Sequence, residues 1–402
     1  MNRVVITGAG TVNALGIDVP TTLKAMREGL CGIRPLNFRD KERLAVKIGA
    51  QVLKFDENHY FSRQQISLYD RFTQFTLLAA REAMASSGLI ISEELSEMSG
   101  VILGTAAGGM NTWDDNYRAV YEEGKNRVHP LVVPKLMNNA ATSHVSMDLN
   151  LKGPSLTVST ACASSNHAIG MAFQMVRSGM VRVMITGGSE SMLTFGGIKA
   201  WEGLRVMSKT ACRPFCANRS GMVQGEGAGV FILETYEGAV ARNAEILAEI
   251  VGFSMTSDAS DIVMPSKDGA SRAISGALRD AKMNVNEVGY INAHGTGTTA
   301  NDKTECAAIV EVFGPQSNKL MVSSTKSMHG HLIGGTGAVE LLACIMALRD
   351  GVIAPTISYE NADPECALDV VPNMARDSKV TGVMSNAFAF GGMNAVLALK
   401  AI

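Results

Sequence analysis

Apolar and polar positions along the chain follow two periods, one typical of strands and one typical of helices. Short apolar runs predict buried strands at residues 3–7, 101–103, 181–185, 229–233, 247–253, 288–293 and 320–324. Helical spacing predicts helices at residues 21–28, 64–87, 135–149, 236–243, 269–282 and 302–313, and a further one that ends at Arg349. Strands and helices therefore alternate along most of the chain, as in an α/β fold.

One of these strand-to-helix turns carries a cysteine. Leu156 and Val158 alternate before Cys162, and apolar residues recur at helical spacing after it until Gly179. The first amides of a helix have no internal partner and favour an anion, so the position favours a nucleophilic thiolate. The alternative at this point is that Cys162 is packed in a buried turn as a small apolar residue and has no chemical role.

Two glycine-rich segments follow strands. Gly8-Ala9-Gly10 lacks the third glycine of a dinucleotide fingerprint, because Asn13 stands there, and we interpret it as a turn that ends a strand. The segment from Gly104 to Gly109 brings backbone close to a ligand, to another chain or to neighbouring elements. Neither segment by itself indicates a nucleotide-binding protein.

Composition narrows the class of protein. With 402 residues, 46% apolar and 18% charged, the chain is globular and long enough for two packed halves. A net charge of −2 gives no field that would attract nucleic acid. No apolar run approaches the roughly 20 residues of a membrane span. The seven cysteines include no Cys-x-x-Cys pair, which disfavours zinc and disulfide frameworks and fits the cytoplasm.

Two later strands also end in chemically active residues. The strand at 288–293 delivers His294, and the strand at 320–324 delivers Lys326 and His331. The strand ends at residues 158–162 and 323–327 resemble each other and lie about half a chain apart. A duplicated α/β unit explains this similarity, and the two copies would meet at a seam.

Four motifs together identify a family. Ser159-Thr160-Ala161-Cys162, residues 292–298, residues 324–331 and Phe388-Ala389-Phe390-Gly391-Gly392 resemble the β-ketoacyl-acyl carrier protein synthases, condensing enzymes of the thiolase superfamily. The similarity is greatest to the long-chain type II enzymes, and residues 261–266 and 385–392 resemble their nodulation-type branch. The implied fold has two pseudo-repeated α/β halves, residues 1–245 and 246–402, stacked in layers α-β-α-β-α.

The resemblance implies a role for each motif residue. Cys162 would carry an acyl group taken from acyl carrier protein, with the amides of Cys162 and Phe390 holding the oxyanion and Gly391 and Gly392 admitting that backbone. His294 and His331 would stabilise the enolate formed when malonyl-carrier loses carbon dioxide. Lys326 would pair with Glu305 and with Asp302. Thr296 and Thr298 would bind the pantetheine arm, whereas we interpret His167 and His329 as structural.

Some positions depart from the long-chain enzymes. Ala107 lies where they carry a bulkier aliphatic residue and Trp201 where they carry phenylalanine, so the acyl pocket is expected to have a different shape. Residues matching a monovalent-cation site, for Na⁺ or K⁺, are Asn292, Glu340, Ser385 and Asn386. No other cofactor is implied.

The sequence thus predicts an acyltransferase that extends an acyl chain by two carbons, acting as a homodimer in the cytoplasm. Two alternatives remain open. One is a ketosynthase of a polyketide or specialised-lipid pathway, which uses the same chemistry. The other is a non-catalytic chain-length partner subunit, against which the presence of Cys162, His294 and His331 argues. A thiolase is disfavoured, because two histidines suit decarboxylation, whereas thiolases use a second cysteine.

Overall fold

Ten strands form one mixed sheet in the computed structural model, which describes residues 1–402. In chain order the strands are β1 (Val4–Asn13), β2 (Ser99–Gly104), β3 (Ser155–Val158), β4 (Val183–Glu190), β5 (Gly227–Thr235), β6 (Ala248–Ser257), β7 (Tyr290–Asn292), β8 (Met321–Ser323), β9 (Gly382–Ala389) and β10 (Met393–Lys400). Two short ribbons lie outside this sheet, one of Arg34–Pro35 with Ile48–Gly49 and one of Val352–Ile353 with Arg376–Asp377.

The strand order repeats. It runs β8-β7-β9-β10-β6-β1-β5-β4-β2-β3. Read from each outer edge toward the middle, the halves are β8-β7-β9-β10-β6 and β3-β2-β4-β5-β1, which is the same order of equivalent strands. In each half the two outer pairs of strands are parallel and the two inner pairs are antiparallel. The halves join through a short antiparallel contact between β1 and β6. The duplicated unit expected from the sequence is confirmed by this topology. The predicted division at residue 245 falls between β5 and β6.

Helices cover and separate the two halves. Seven of them are α1 (Val19–Arg27), α2 (Arg71–Ser87), α3 (Ala140–Asp148), α4 (Ser164–Ser178), α5 (Lys267–Ala281), α6 (Thr299–Phe313) and α7 (Thr336–Asp350). The remaining α-helices are Glu57–Tyr60, Arg63–Leu68, Glu93–Glu97, Met110–Tyr117, Val132–Leu136, Phe195–Gly203, Tyr236–Ala241 and Lys326–His329. None of the helices combines the length and the apolar character that crossing a membrane requires.

Helices α4 and α7 lie between the two halves. Helix α4 packs on β2 and β4 of the first half and on β6 and β10 of the second, and α7 also contacts strands of both halves. Helix α2 covers the outer face of β1 and β5, and α5 covers β6 and β10 with α6 beside it. The predicted order of layers, α-β-α-β-α, is confirmed.

The interpretation of Gly8-Ala9-Gly10 as a strand end is wrong. Strand β1 continues through these residues to Asn13. A Cβ atom at Gly10 would lie 2.0 Å from the carbonyl oxygen of Ala79, and one at Gly8 would lie 2.2 Å from that of Ala83. The glycines therefore let helix α2 approach the strand closely, without ending it.

Two predicted long helices are each divided in two. Residues 64–87 contain a break at Tyr69, which is extended, and Asp70 then caps α2 by accepting a hydrogen bond from the amide of Phe72. Residues 135–149 contain a similar break at Met137. Apolar spacing continues across both breaks, so the periodicity alone did not show them.

Candidate active site

Cys162 lies at the predicted junction of a strand and a helix. Strand β3 ends at Val158, a single 3₁₀ turn spans Ala161–Ala163, and α4 begins at Ser164. Ala161 has a φ of 48°, a conformation that non-glycine residues rarely adopt. The hydroxyl of Ser164 supports this turn, because it accepts from the amide of Thr160 and donates to the carbonyl of Ala161. The thiol is thus held at the start of the helix in a rigid turn.

Two histidines converge on the thiol from the other half of the chain. The sulfur of Cys162 and one ring nitrogen each of His294 and His331 all lie within 4.8 Å of one another. The two imidazole rings meet edge to face, with centroids 5.6 Å apart. All three residues are buried. The structure therefore brings together the three residues that the sequence placed at separate strand ends.

The hydrogen bonds of His331 determine which ring nitrogen carries the proton. The amide of Ile333 donates to Nδ1 at 3.1 Å, and the hydroxyl of Thr336 lies 2.8 Å from the same atom. A backbone amide can only donate, so Nδ1 accepts and the proton of the neutral ring is on Nε2. His331 can therefore donate a hydrogen bond from Nε2.

Both histidines are held in the neutral form. Burial, and then the charge of Lys326, place the pKa values of His294 and His331 well below the usual histidine range. A neutral imidazole donates a hydrogen bond without readily giving up its proton. This property suits stabilisation of an enolate oxygen while the neighbouring carbanion stays unprotonated.

Burial opposes the thiolate that the position of Cys162 at the start of α4 favours. Burial raises the pKa of the Cys162 thiol to about 12, although the charge of Lys326 and the amides of Phe390 and Cys162 lower it. Desolvation of the thiolate therefore outweighs the favourable position at the start of α4. The thiol is protonated at neutral pH and must lose its proton during the reaction.

Phe390 provides a second backbone donor near the thiol. Its amide and that of Cys162 both interact favourably with the sulfur, as their effects on the pKa show. Phe390 opens the turn Phe390–Gly392, in which Gly391 and Gly392 have φ values of 80° and 68°. Side chains are disfavoured at such angles, so these glycines permit the turn. Two amides are thus positioned to bind an oxyanion beside the sulfur.

The predicted pairing of Lys326 is wrong. Its ammonium group contacts Glu340, with Nζ 2.5 Å from Oε1, and both side chains are buried. Glu305 instead accepts from the amides of His294 and Gly295 at 2.8 and 2.7 Å, and so fixes the His294 loop. Asp302 accepts from the amide of Phe215 and lies 3.8 Å from Arg219. Lys326 therefore acts on the site through its charge, whereas Glu305 acts through the backbone.

The remaining histidines near the motifs have local partners. In His329, Nδ1 lies 2.8 Å from the carbonyl oxygen of Gly330 and Nε2 lies 2.9 Å from the hydroxyl of Thr325. In His167, Nδ1 lies 2.8 Å from the hydroxyl of Thr160. These contacts fit the structural roles expected for both residues.

The reacting groups lie in a cavity of about 160 Å³. Its walls are formed by Cys162, Trp201, Val206, Met222, Val263, Met264, Pro265, His294, Thr296, Thr298, Ala300, Asn301, His331, Phe388, Ala389 and Phe390. Trp201, Thr296 and Thr298 therefore lie where the sequence placed them, and Trp201 stacks on Phe390 with ring centroids 6.0 Å apart. Ala107 does not line this cavity. Its amide donates to the buried carboxyl of Glu190.

Glu190 is a buried residue whose role the sequence analysis missed. Its carboxyl accepts from the hydroxyl of Thr105 and from the amides of Ala106, Ala107 and Gly334. It thereby ties the glycine loop after β2 to the segment that follows His331. Burial raises its pKa to about 7. The available signal was an acidic residue at the end of a buried strand.

Several amide oxygens next to the site lack a partner. The Oδ1 atoms of Asn292 and Asn386, both predicted cation ligands, are buried without a hydrogen-bond donor, and so is that of Asn166. Such oxygens, with the nearby carboxyl of Glu340, are suitable ligands for a monovalent cation. Separately, the thiol and imidazoles of the reaction site are donors of the kind that bind Zn²⁺.

The fold and the site together define a class of enzyme. A thiol, two neutral imidazoles and two backbone donors at the seam of a duplicated α/β fold characterise the condensing acyltransferases. Residues 1–239 match the family model "Beta-ketoacyl synthase, N-terminal domain", and residues 247–360 match "Beta-ketoacyl synthase, C-terminal domain". The chain therefore belongs to the β-ketoacyl synthase family.

Similar proteins include two kinds of full-length relative. Nodulation protein E of Rhizobium sp. (strain N33) is 46% identical over 400 residues, covering 100% of this chain and 99% of that protein. The 3-oxoacyl-[acyl-carrier-protein] synthase 2 of Staphylococcus aureus (strain COL) is 42% identical over 405 residues, covering 99% and 98%.

Solved structures agree with this assignment. The ishigamide ketosynthase/chain length factor superposes with a TM-score of 0.95 at 33% identity, covering 100% of this chain and 99% of that one. A type II PKS ketosynthase in complex with its acyl-carrier protein, AntDE:AntF, gives a TM-score of 0.91 at 28% identity, with 100% of both chains covered. The predicted thiolase-like fold is thereby confirmed.

Proposed function

We propose that this chain is a β-ketoacyl-acyl carrier protein synthase that uses Cys162 to hold the growing chain. It joins an acyl group to the two carbons left when malonyl-carrier loses carbon dioxide. The observation that carries the proposal is the convergence of the Cys162 sulfur with His294 and His331 within 4.8 Å. The 46% identity to a nodulation protein and the 42% identity to a type 2 synthase support the same chemistry.

The first step transfers the acyl group to the enzyme. The sulfur of Cys162 attacks the thioester carbonyl of acyl-carrier, and the amides of Cys162 and Phe390 stabilise the oxyanion. The bond between the carbonyl carbon and the carrier sulfur then breaks. The proton lost by the Cys162 thiol ends on the departing carrier thiol, so protons balance although the resting cysteine is not ionised.

The second step forms the carbon–carbon bond. Malonyl-carrier loses carbon dioxide, and the electrons of that bond form an enolate whose oxygen accepts hydrogen bonds from His294 and His331. The enolate carbon attacks the acyl-Cys162 carbonyl. The carbon–sulfur bond breaks, and the cysteine sulfur takes up one proton from water. The product is a β-ketoacyl chain on the carrier, longer by two carbons.

Intact-mass measurement tests this proposal. The protein is incubated with acyl carrier protein bearing acyl groups of graded length, and then with malonyl-carrier. We expect one acyl adduct, absent from Cys162→Ala, that malonyl-carrier discharges as a product two carbons longer. His331→Asn should still load but should not discharge. Failure to load at any length would contradict the proposal and would favour a non-catalytic partner subunit.

A ketosynthase of a polyketide or specialised-lipid pathway is the second candidate. It is favoured by the similarity to the ishigamide and AntDE structures, at 33% and 28% identity. The chemistry at Cys162 would be the same. Comparing successive condensations with and without reduction of the β-keto group distinguishes the two, because only a polyketide enzyme efficiently extends an unreduced chain.

We propose that the enzyme is a homodimer formed along the edge of the sheet. Strand β3 is the last strand in the sheet order, and Leu156 on it is 43% exposed. Exposed apolar side chains at Val128, Leu131, Val133 and Met137 support an interface in the first half of the chain. An exposed edge strand can pair with its copy across a two-fold axis.

Light scattering tests the dimer, whose mass would be twice the 42.6 kDa of one chain. Leu156→Asp should yield monomers, because charged residues on an edge oppose pairing. Met374→Asp is the matched control, since Met374 is also exposed but lies outside these segments. A monomeric wild-type protein at micromolar concentration would contradict the proposal.

We also propose that Asn292, Glu340, Ser385 and Asn386 hold a monovalent cation. The unpartnered amide oxygens described above support it. A bound cation would stabilise the segment between β7 and β9. We expect K⁺ or Na⁺ to raise the melting temperature of the wild-type protein but not of Asn386→Leu, and an equal salt effect on both would contradict the proposal. We place the enzyme in the cytoplasm, where its seven free cysteines would stay reduced.

A further inference from the structure

Gln224 is a buried amide without hydrogen-bond partners. Its side chain is completely buried, and neither Oε1 nor Nε2 has a partner. It is the only buried amide side chain in the structure of which both polar atoms are unpaired. Burying such a group without a partner is unfavourable, so its presence requires an explanation.

The backbone places Gln224 directly beside the histidine of the reaction site. The amide of His331 donates to the carbonyl of Val223 at 2.7 Å, and the amide of Gly225 donates to the carbonyl of His331 at 2.9 Å. Gln224 and His331 are therefore opposite each other in a parallel bridge. Opposite residues project from the same face, on strands about 4.8 Å apart. The Gln224 side chain thus lies alongside the His331 ring.

Met222 shows which way this face points. It precedes Gln224 by two residues in extended backbone, so both side chains project from one face. Met222 lines the reaction cavity together with Trp201 and Val206. Gln224 itself does not line the cavity. It lies on the same face of the segment, two residues beyond Met222.

The acyl chain is expected to run toward this side. Val263 and Met264, which also line the cavity, are 38% and 57% exposed and so lie at its open mouth. The carrier arm enters there. An acyl group attached to Cys162 that extends away from the mouth would run past Trp201 and Met222. A chain long enough to pass Met222 would next meet the face that carries the unpaired amide of Gln224.

We propose that Gln224 determines substrate specificity by hydrogen-bonding an oxygen function, a keto or hydroxyl group, in the acyl chain carried on Cys162. This rests on the proposed function. A site with a buried, otherwise unpaired polar group discriminates strongly against a chain that lacks the matching group. The preferred substrates are therefore oxygen-bearing acyl chains, such as those left by a preceding condensation without complete reduction.

The test compares acyl carriers whose chains have the same length and differ only in one keto or hydroxyl group, placed at successive carbons. Loading of Cys162 is followed by intact mass, and kcat/KM is determined for each chain. We expect the wild-type protein to prefer the oxygen-bearing chain about tenfold or more at one position. Gln224→Leu should lose that preference while loading the all-carbon chain at least as well and melting no lower than the wild type.

Two further variants keep the result interpretable. Thr186→Val removes another buried, unpartnered polar atom, on β4, and should leave the preference unchanged. Gln224→Met replaces the amide with an unbranched apolar side chain, and it serves as the test variant if Gln224→Leu does not fold. Equal loading of both kinds of chain by the wild-type protein would overturn the inference alone. Failure of the wild-type protein to load any chain would overturn the proposed function, and the inference with it.

Discussion

The buried ion pair between Lys326 and Glu340 leads to a quantitative prediction for Lys326→Met. The two side chains are 0% and 1% exposed, with Nζ 2.5 Å from Oε1. Removing the lysine leaves a carboxyl that is shielded from water and has lost its only cationic partner. Breaking a buried pair in this way costs about 3–5 kcal/mol, whereas an exposed pair contributes at most about 1 kcal/mol.

The expected change in melting temperature follows from the size of the chain. An unfolding entropy of about 2.1 cal/mol/K per residue gives about 0.84 kcal/mol/K for 402 residues. A loss of about 3–5 kcal/mol therefore lowers the melting temperature by about 4–6 °C. The loss should grow with pH. The pKa of Glu340 is already raised to about 7 by burial, and without Lys326 it rises further. An acid whose pKa is higher in the folded than in the unfolded protein makes the folded state less stable as the pH rises. The free energy of unfolding of Lys326→Met should therefore fall further below that of the wild type at pH 9 than at pH 6.

Two further variants separate stability from the electrostatics of the site. Lys267→Met is the matched control, because Lys267 and Glu311 form a pair of the same length, 2.5 Å, at 53% and 49% exposure. It should shift the melting temperature by about 1 °C or less. The double variant Lys326→Met with Glu340→Gln should recover most of the lost stability, since no charge remains buried.

The assay is thermal unfolding by calorimetry, combined with alkylation of Cys162 by iodoacetamide. The charge of Lys326 lowers the pKa of that thiol, so alkylation near pH 9 should slow in both the single and the double variant. The double variant should therefore be nearly as stable as the wild type while its Cys162 is alkylated more slowly. A Lys326→Met protein as stable as the wild type, or a double variant as unstable as the single, would refute the reasoning.

Three other predictions follow from burial and packing. Because burial raises the pKa of Cys162 to about 12, its alkylation rate in the free enzyme should still increase between pH 9 and 11, and a plateau near pH 8.5 would contradict this. The pKa of His329 is lowered to about 3, so its contribution to stability is full above about pH 6.5 and is lost as the pH drops toward 3. Denaturation at several pH values should therefore show that the free energy of unfolding of His329→Gln depends less on pH than that of the wild type, by up to about 1.4 kcal/mol per pH unit. Gly10→Ala should lower the melting temperature, because its Cβ would lie 2.0 Å from a carbonyl oxygen, whereas Gly203→Ala, with no atom within 4 Å, should not.

Local pattern was sufficient to predict much of the fold. Cys162 at a strand-to-helix turn, Gly179 at the end of α4 and the alternation of strands with helices all follow from spacing and from residue type. The similarity between residues 158–162 and 323–327 indicated the duplication that the sheet order shows. Breaks at Tyr69 and Met137 were missed, because apolar spacing continues across them while the backbone does not.

The chemical identities at the site also follow from the sequence, because each lies at the end of a strand. That Cys162, His294 and His331 act together was implied by the family resemblance, because the strands that deliver them lie at opposite ends of the sheet order. Glu190 and Gln224 were not recognised. The hydrogen-bond partners of Glu190 are 83 to 144 residues away in the sequence, and Gln224 is distinguished by the partners that it lacks.

The sequence by itself determined the order of the elements, the reactive groups and the family, since these depend on residue type and near neighbours. The tertiary structure decided which carboxyl pairs with Lys326, the protonation of Cys162 and the face on which Gln224 lies. Glu305 and Glu340 were both available to Lys326, and only the path of α7 between the two halves brings Glu340 to it. Charge pairing and desolvation depend on which distant segments pack together, and no local pattern in the chain records that.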